Sequence, residues 1–236
     1  MTARLTYGHA DFDAQLAALL NSRSVDAADV SHSVKIIMGD VRDRGDKALI
    51  DYTKKFDRLE TTELRITAAQ MATAEKDCAP DVRAALEVAA ERIRAYHAMQ
   101  KPADHRYVDA DGVTLGWQYA PLESVGIYVP GGKASYPSSV LMNAIPAVVA
   151  GVERIVMVVP TPDGIINPAI LVAAKLAGIT EIYRIGGAQA VAALAYGTET
   201  VRPVVKIVGP GNAFVAAAKR RAFGTGGIDS NAGPSE

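Results

Sequence analysis

The sequence predicts an α/β protein in which a mainly helical region precedes a parallel sheet. Apolar residues recur at helical spacing through the first hundred residues. From residue 121 onward, short runs rich in valine and isoleucine alternate with helical segments instead. Between the two regions, Asp111-Gly112 separates two short β-prone runs and predicts a hairpin near residues 107–119. We therefore expect one region over residues 1–120 and a second over residues 121–235.

Helices account for most of the first region. One apolar stripe has the spacing of a single helix face, and Gly45 should end that helix. Asp46 is then a plausible N-cap of the next helix. Residues 63–67 are predicted to form a short strand, and residues 68–78 and 81–99 two further helices. The stripe before Gly45 consists of Val30, Val34, Ile37, Met38 and Val41.

Four strands, each followed by a turn and a helix, are predicted in the second region. Their valine and isoleucine runs are nearly continuous, which is typical of strands buried on both faces of a parallel sheet. This alternation predicts a compact Rossmann-like domain. The predicted strands are residues 125–129, 154–159, 181–185 and 204–208, and the helices are residues 138–150, 168–177, 188–196 and 213–221.

Composition narrows the class of protein. The 236 residues are 49% hydrophobic and 22% charged, as in ordinary globular proteins. The net charge of −1 argues against a nucleic-acid or anionic membrane surface. No apolar run is long enough to span a bilayer, so no membrane partner is expected. The single cysteine, Cys78, excludes an internal disulfide and fits a cytoplasmic location, and we expect a plain buried or half-buried thiol.

Three glycine-rich turns follow predicted strands and should meet at one edge of the sheet. They contain Gly131-Gly132, Gly186-Gly187 and Gly209-Pro-Gly211. Glycines allow close backbone approach, and the helix N-termini behind them favour anions. This arrangement predicts a cleft for a phosphate-bearing or otherwise polar small molecule. It is not a dinucleotide fingerprint, because Phe214 stands where the third glycine of GxGxxG belongs.

Polar residues within these turns are the candidate binding groups. Tyr128 is either a ligand contact or a packed tyrosine, and Gln189 either faces the cleft or caps its helix locally. Asn212 is a strong candidate for a simple N-cap. Asp163 offers a weaker signal, a carboxylate that would suit a ribose. The basic cluster at residues 219–221 is predicted to be solvated and to complement a helix dipole.

Candidates for metal binding and acid–base catalysis are lacking in the sequence. All four histidines precede the predicted sheet, and no pair of them has the spacing of metal ligands. No serine lies in a GxSxG turn. We therefore predict no catalytic and no metal-binding residue within this chain.

At its glycine-rich motifs the sequence resembles the histidinol dehydrogenase family. The matching motifs run in the family's order and include Gly126-Ile-Tyr-Val-Pro-Gly-Gly132, Gly186-Gly-Ala-Gln-Ala190, Lys206-Ile-Val-Gly-Pro-Gly-Asn212 and Ala232-Gly-Pro-Ser-Glu236. The resemblance implies an NAD-dependent, zinc-containing homodimer that oxidises L-histidinol to L-histidine through L-histidinal. Carried over by motif, Tyr128, Gln189 and Asn212 would contact NAD, and Ser235 would contact the substrate.

The resemblance also implies that the first domain is incomplete here, because the family inserts the Rossmann-like domain into it. The zinc ligands and a proton-handling Glu–His pair would follow residue 236, so we expect no dehydrogenase activity from this chain alone. Val205 replaces the family's usual aspartate, and Gly226, Ser230 and Asn231 replace apolar residues. These departures suggest a truncated, solubilised fragment or a degenerated copy. The alternatives are a non-catalytic α/β scaffold fragment and an oxidoreductase acting on another alcohol.

Overall fold

Helices and one hairpin make up the N-terminal region of the chain. The computed structural model describes residues 4–131 and 136–230, with the backbone but not the side chains of residues 20–29. The helices are α1 (Phe12–Arg44), α2 (Asp46–Asp57), α3 (Ala68–Asp77) and α4 (Pro80–Ala98), and the hairpin strands are β1 (His105–Val108) and β2 (Thr114–Trp117). β1 and β2 pair antiparallel, as Asp111-Gly112 predicts.

The junction between α1 and α2 confirms one prediction and corrects another. Gly45 ends α1 with a positive φ of 56°, and its N–H bonds to the carbonyl of Val41. Asp46 is not the N-cap of α2 but its first residue. A distant carboxylate caps the helix instead, since Glu199 Oε2 accepts the Asp46 N–H at 2.8 Å. The Asp46 carboxylate in turn accepts hydrogen bonds from Thr200.

A five-stranded parallel sheet forms the centre of the second region and confirms the predicted fold class. The strand order is β5-β4-β3-β6-β7. The chain moves outward from β3 to β5 and then returns to the other side of β3, so β3 and β6 flank the point where the order reverses. The strands are β3 (Ser124–Tyr128), β4 (Arg154–Val158), β5 (Glu181–Tyr183), β6 (Lys206–Val208) and β7 (Gly227–Ile228); the helices are α5 (Pro137–Ala150), α6 (Pro168–Leu176), α7 (Gly187–Tyr196) and α8 (Ala213–Ala222).

Two details of the sheet differ from the prediction. β7 adds an edge strand of two residues that pairs with β6, where the sequence indicated only a glycine-rich turn. Two residues, one of them a glycine, are too few to show the sequence pattern of a strand. The strand predicted over residues 63–67 is reduced to one antiparallel bridge between Arg65 and Tyr183.

Side chains on opposite faces of the sheet enter two separate cores. Val125 and Ile127 pack with α3, α4, α5 and α6, whereas Tyr128 and Val156 pack with α1, α7 and α8. The N-terminal helices therefore form outer layers on both sides of the sheet. Cys78 is buried, as expected. No helix in the described ranges is long and apolar enough to cross a bilayer.

Candidate functional site

The turns that follow β3, β5 and β6 meet at the carboxyl edge of the sheet and line a cleft of about 330 Å³. Ligands of open parallel sheets bind at such an edge, where the strand order reverses. The cleft brings together Tyr128, Gln189 and Asn212, the three residues predicted to bind a cofactor. Ser235, the predicted substrate contact, lies outside the described residues.

Tyr128 is at once a packed tyrosine and part of the cleft wall. It is the last residue of β3 and is only 4% exposed. Its hydroxyl oxygen accepts the Gly187 N–H at 3.0 Å, which ties the end of β3 to the first turn of α7. Burial raises the pKa of Tyr128, and the hydrogen bond from Gly187 opposes that shift only in part. The phenol therefore keeps its proton at neutral pH.

Gln189 carries the clearest sign of a binding role. It lies in the first turn of α7 and is 2% exposed. Its side-chain oxygen Oε1 is buried and has no hydrogen-bond partner in the described part of the chain. An unpaired buried polar atom costs about 1–3 kcal/mol. A ligand that donates a hydrogen bond at this position would remove that cost.

Asn212 caps α8 and also faces the cleft. Its Oδ1 accepts the Val215 N–H at 3.1 Å, so the local capping role expected from the sequence is present. The same residue lines the cleft together with Phe214. Because the oxygen serves the cap, the amide nitrogen is the group that Asn212 would offer to a ligand.

Two glycines allow the turns to approach one another closely. Gly209 has a φ of 108°, and a Cβ there would lie 2.2 Å from the carbonyl oxygen of Tyr128. A Cβ on Gly131 would lie 2.2 Å from the carbonyl oxygen of Pro160. Neither position has room for a side chain, and the backbone of Gly131 forms part of the cleft wall.

Asp57 is a cleft residue that sequence reasoning missed. It is the last residue of α2, is buried, and its Oδ2 accepts the Thr161 N–H at 3.2 Å. Burial raises the pKa of this carboxyl, although the Thr161 hydrogen bond and Arg58 pull it the other way. The sequence gives Asp57 no site signal of its own, because Thr161, its hydrogen-bond partner, lies 104 residues further along the chain.

The structure modifies two further sequence predictions. Asp163 does not line the cleft, and Arg58 Nε and Nη2 bind its carboxylate at 2.7 and 2.5 Å. Lys219 is not solvated, since it is 4% exposed and pairs with Asp229. Arg220 and Arg221 of the same basic cluster are exposed, as predicted.

Other features of the described chain are weaker candidates for a site. A larger cleft of about 750 Å³ lies beneath α4 and α5, but it is lined mainly by apolar side chains and exposed loop residues. Among residues 4–131 and 136–230, no cluster of three or more His, Cys, Asp or Glu side chains could hold a metal ion. The carboxyl-edge cleft is therefore the best-supported binding site.

Several known proteins are similar to this chain in sequence. A family model described as histidinol dehydrogenase matches residues 20–236. Histidinol dehydrogenase from Mesorhizobium japonicum is 58% identical over 238 residues, covering 100% of this chain and 55% of the relative. The Cereibacter sphaeroides protein of the same name is 60% identical over 227 residues, covering 95% and 52%. The chain thus spans about half the length of the curated relatives it matches.

A solved structure agrees with the sequence relatives. The crystal structure of histidinol dehydrogenase from Elizabethkingia anophelis superposes with a TM-score of 0.83 at 42% identity. The match covers 86% of this chain and 48% of that one. The chain belongs to the histidinol dehydrogenase family.

Proposed function

We propose that the carboxyl-edge cleft binds NAD and that the chain is the cofactor-binding part of a histidinol dehydrogenase. The activity proposed for the whole protein is the oxidation of L-histidinol to L-histidine through L-histidinal, a step of histidine biosynthesis. The observation that carries the proposal is that Gln189, whose buried Oε1 has no hydrogen-bond partner in the described chain, lines a cleft formed by three glycine-rich turns. Residues 121–235 are proposed to form the cofactor-side domain.

The cleft offers different chemistry on its different walls. The Asn212 amide nitrogen is a hydrogen-bond donor, and the Tyr128 phenol lies beside the N-terminus of α7. Asp57 adds a carboxyl group, which suits hydroxyl donors such as those of a ribose and repels a phosphate. We therefore place the pyrophosphate on the side of the glycine-rich turns, away from Asp57. When bound, NAD would supply the hydride acceptor, and the chain's own residues would hold and orient it.

The zinc of the family is not accommodated by the described residues, which contain no cluster able to hold it. No step of the reaction is therefore assigned to a metal here. We propose, from the motif alone, that Ser235 contacts the substrate and that the whole protein is a homodimer. On this proposal the 236-residue chain binds NAD but forms no NADH from histidinol.

Titration of NAD into the isotope-labelled chain tests the proposal. We expect saturable amide shifts at Tyr128, Gln189 and Asn212, in the micromolar to millimolar range. A Gln189→Met variant should lose most of this response, because it removes the amide that the ligand would meet. Gln118→Met is the matched control, since Gln118 is exposed in the hairpin region.

Two results would contradict the proposal. If NAD produced no shifts at the three turns, the chain would be a scaffold rather than a cofactor-binding module. NADH formation from histidinol by the pure chain would show that its own residues suffice for oxidation.

A further inference from the structure

An ion pair between a buried lysine and a partly exposed aspartate holds the turn that carries Asn212. Lys219, in the last turn of α8, pairs with Asp229, which follows β7. The Lys219 side chain is 6% exposed and that of Asp229 is 31% exposed. The lysine is therefore buried, whereas the carboxylate of Asp229 keeps part of its contact with water.

Both residues of the pair bind the backbone of Gly209: Lys219 binds its carbonyl group and Asp229 binds its N–H group. Lys219 Nζ donates to the Gly209 carbonyl oxygen at 2.9 Å. The Gly209 N–H donates to Asp229 Oδ2 at 2.8 Å. Gly209 has a positive φ and lies so close to the Tyr128 carbonyl group that a Cβ would not fit there. The pair therefore fixes the orientation of the turn's first residue through two charge-assisted hydrogen bonds.

The carboxylate is itself held in place by further groups. Asp229 Oδ1 accepts the Ser230 N–H at 2.7 Å, and the Asp229 N–H bonds to the Ile207 carbonyl in β6 at 3.2 Å. Burial acts to raise the pKa of Asp229, but Lys219 and the two backbone N–H groups lower it below the ordinary value. The carboxylate therefore remains ionised at neutral pH.

We propose that Lys219 and Asp229 are positioning residues for the cofactor, which hold the Gly209–Asn212 turn in its binding geometry. This inference rests on the proposed NAD function of the cleft. A buried ion pair adds little net stability compared with an apolar pair of similar size. Its effect here is to fix the direction of both hydrogen-bonding groups of Gly209, three residues before Asn212.

Removing one charge of the pair tests the inference. For Lys219→Met we expect NAD binding to weaken about tenfold and exchange of the Gly209 amide hydrogen to accelerate by at least as much. Exchange within β3 and β4 should stay unchanged, because those strands do not contact the pair. Arg220→Met is the matched control: it removes a cation from the next position of α8, where the side chain is exposed, and should change both readouts less than twofold.

A second variant keeps the test decisive if Lys219→Met does not fold. Asp229→Asn retains an oxygen that can accept the Gly209 N–H but removes the charge that attracts Lys219. Relative to the wild type, it should weaken NAD binding about threefold and accelerate exchange of the Gly209 amide hydrogen, and unchanged values of both would overturn the inference. Once both charges are gone in the double variant, the two effects should not add, because both act through the same turn.

Several outcomes would overturn the inference. One is unchanged NAD affinity together with unchanged Gly209 exchange in the Lys219→Met variant. Another is faster exchange across all strands, which would make the pair a general stabilising contact. If the wild-type chain bound no NAD, the proposed function would fail, but Gly209 exchange in the ligand-free variants would still decide whether the pair holds the turn.

Discussion

The two edges of the parallel sheet differ in how fully their buried polar groups are paired. At the amino edge, Arg154 begins β4 and Glu181 begins β5. Arg154 Nη2 and Nε bind the Glu181 carboxylate at 2.8 and 3.0 Å, and the same guanidinium donates to the carbonyls of Arg202 and Pro203 at 2.8 Å each. The Tyr183 hydroxyl donates to Glu181 as well. Both charges of the Arg154–Glu181 pair are therefore bound by partners within the chain.

The carboxyl edge leaves polar groups incompletely paired. Gln189 Oε1 has no partner in the described chain, and burial raises the pKa of Asp57. Backbone approaches there are so close that only glycine fits at Gly131 and Gly209. Such local cost is typical of binding sites, where a ligand supplies the missing partners. The paired amino edge stabilises the fold, whereas the carboxyl edge leaves groups unpaired, as the proposed NAD site requires.

Gly209→Ala should have the largest effect, because it distorts the carboxyl edge itself. The new Cβ would meet a backbone oxygen at 2.2 Å, at a φ that side chains avoid. We expect a loss of at least about 3 kcal/mol in the free energy of unfolding. Urea unfolding measures it. Gly178→Ala is the control, since Gly178 has a φ of 79° but open space around it; an equal loss there would show that φ alone, not the contact, sets the cost.

Arg154→Met breaks the amino edge and should separate stability from binding. It leaves the partly buried Glu181 without its cation and two carbonyls without a donor, and we expect a loss of about 2 kcal/mol. Burial alone would raise the pKa of Glu181, but Arg154 brings it below the ordinary value. This stabilisation is present above the unfolded-state pKa of Glu181 and is lost as the pH falls, so wild type and variant should converge in acid.

NAD affinity is the second readout for Arg154→Met. We expect it to remain unchanged, because the pair lies at the opposite end of the strands from the cleft. Weaker NAD binding by a folded variant would show that the two edges are coupled. Arg83→Met, which removes an exposed ion pair on α4, should alter neither stability nor binding.

Gln189→Met should give the reverse pattern of Arg154→Met. Replacing the buried amide with an apolar side chain of similar length removes the unpaired Oε1, so we expect the ligand-free chain to gain about 1 kcal/mol. NAD binding should be lost at the same time. Thermal unfolding with and without NAD measures both effects. A destabilised variant would mean that the amide has a structural partner and is not reserved for a ligand.

The local sequence pattern predicts where the sheet and its carboxyl edge lie. Runs such as residues 154–159 identify buried parallel strands, and glycines after strands locate the carboxyl edge. The sequence places Tyr128, Gln189 and Asn212 in the cleft because they lie within or beside those turns. It does not place Asp57 there, since the position of Asp57 depends on how α2 packs. The run of three basic residues near the end of α8 predicts a solvated Lys219, and only the fold shows that Asp229 reaches it.

Asp57→Asn should have a smaller, pH-dependent effect. The folded chain holds the Asp57 proton more tightly than the unfolded chain, because burial raises the pKa. Above the folded-state pKa the wild type bears the full cost of burying the charge, and below the unfolded-state pKa it bears none. The variant should therefore melt higher at pH 7, with a gain that shrinks as the pH falls. A gain that does not change with pH would assign the effect to packing rather than to charge.

Asp163→Ala should have the smallest effect of all, although Asp163 lies close to the cleft. Its carboxylate is exposed and already bound by both nitrogens of the Arg58 fork, which lowers its pKa. Exposed ion pairs contribute little to stability, and Asp163 is not among the residues that line the cleft. We therefore expect unchanged melting and unchanged NAD affinity, measured beside Asp57→Asn. If NAD binding weakened only in Asp163→Ala, the ribose would contact Asp163, and the cleft would extend past Pro162 towards the exposed end of α2.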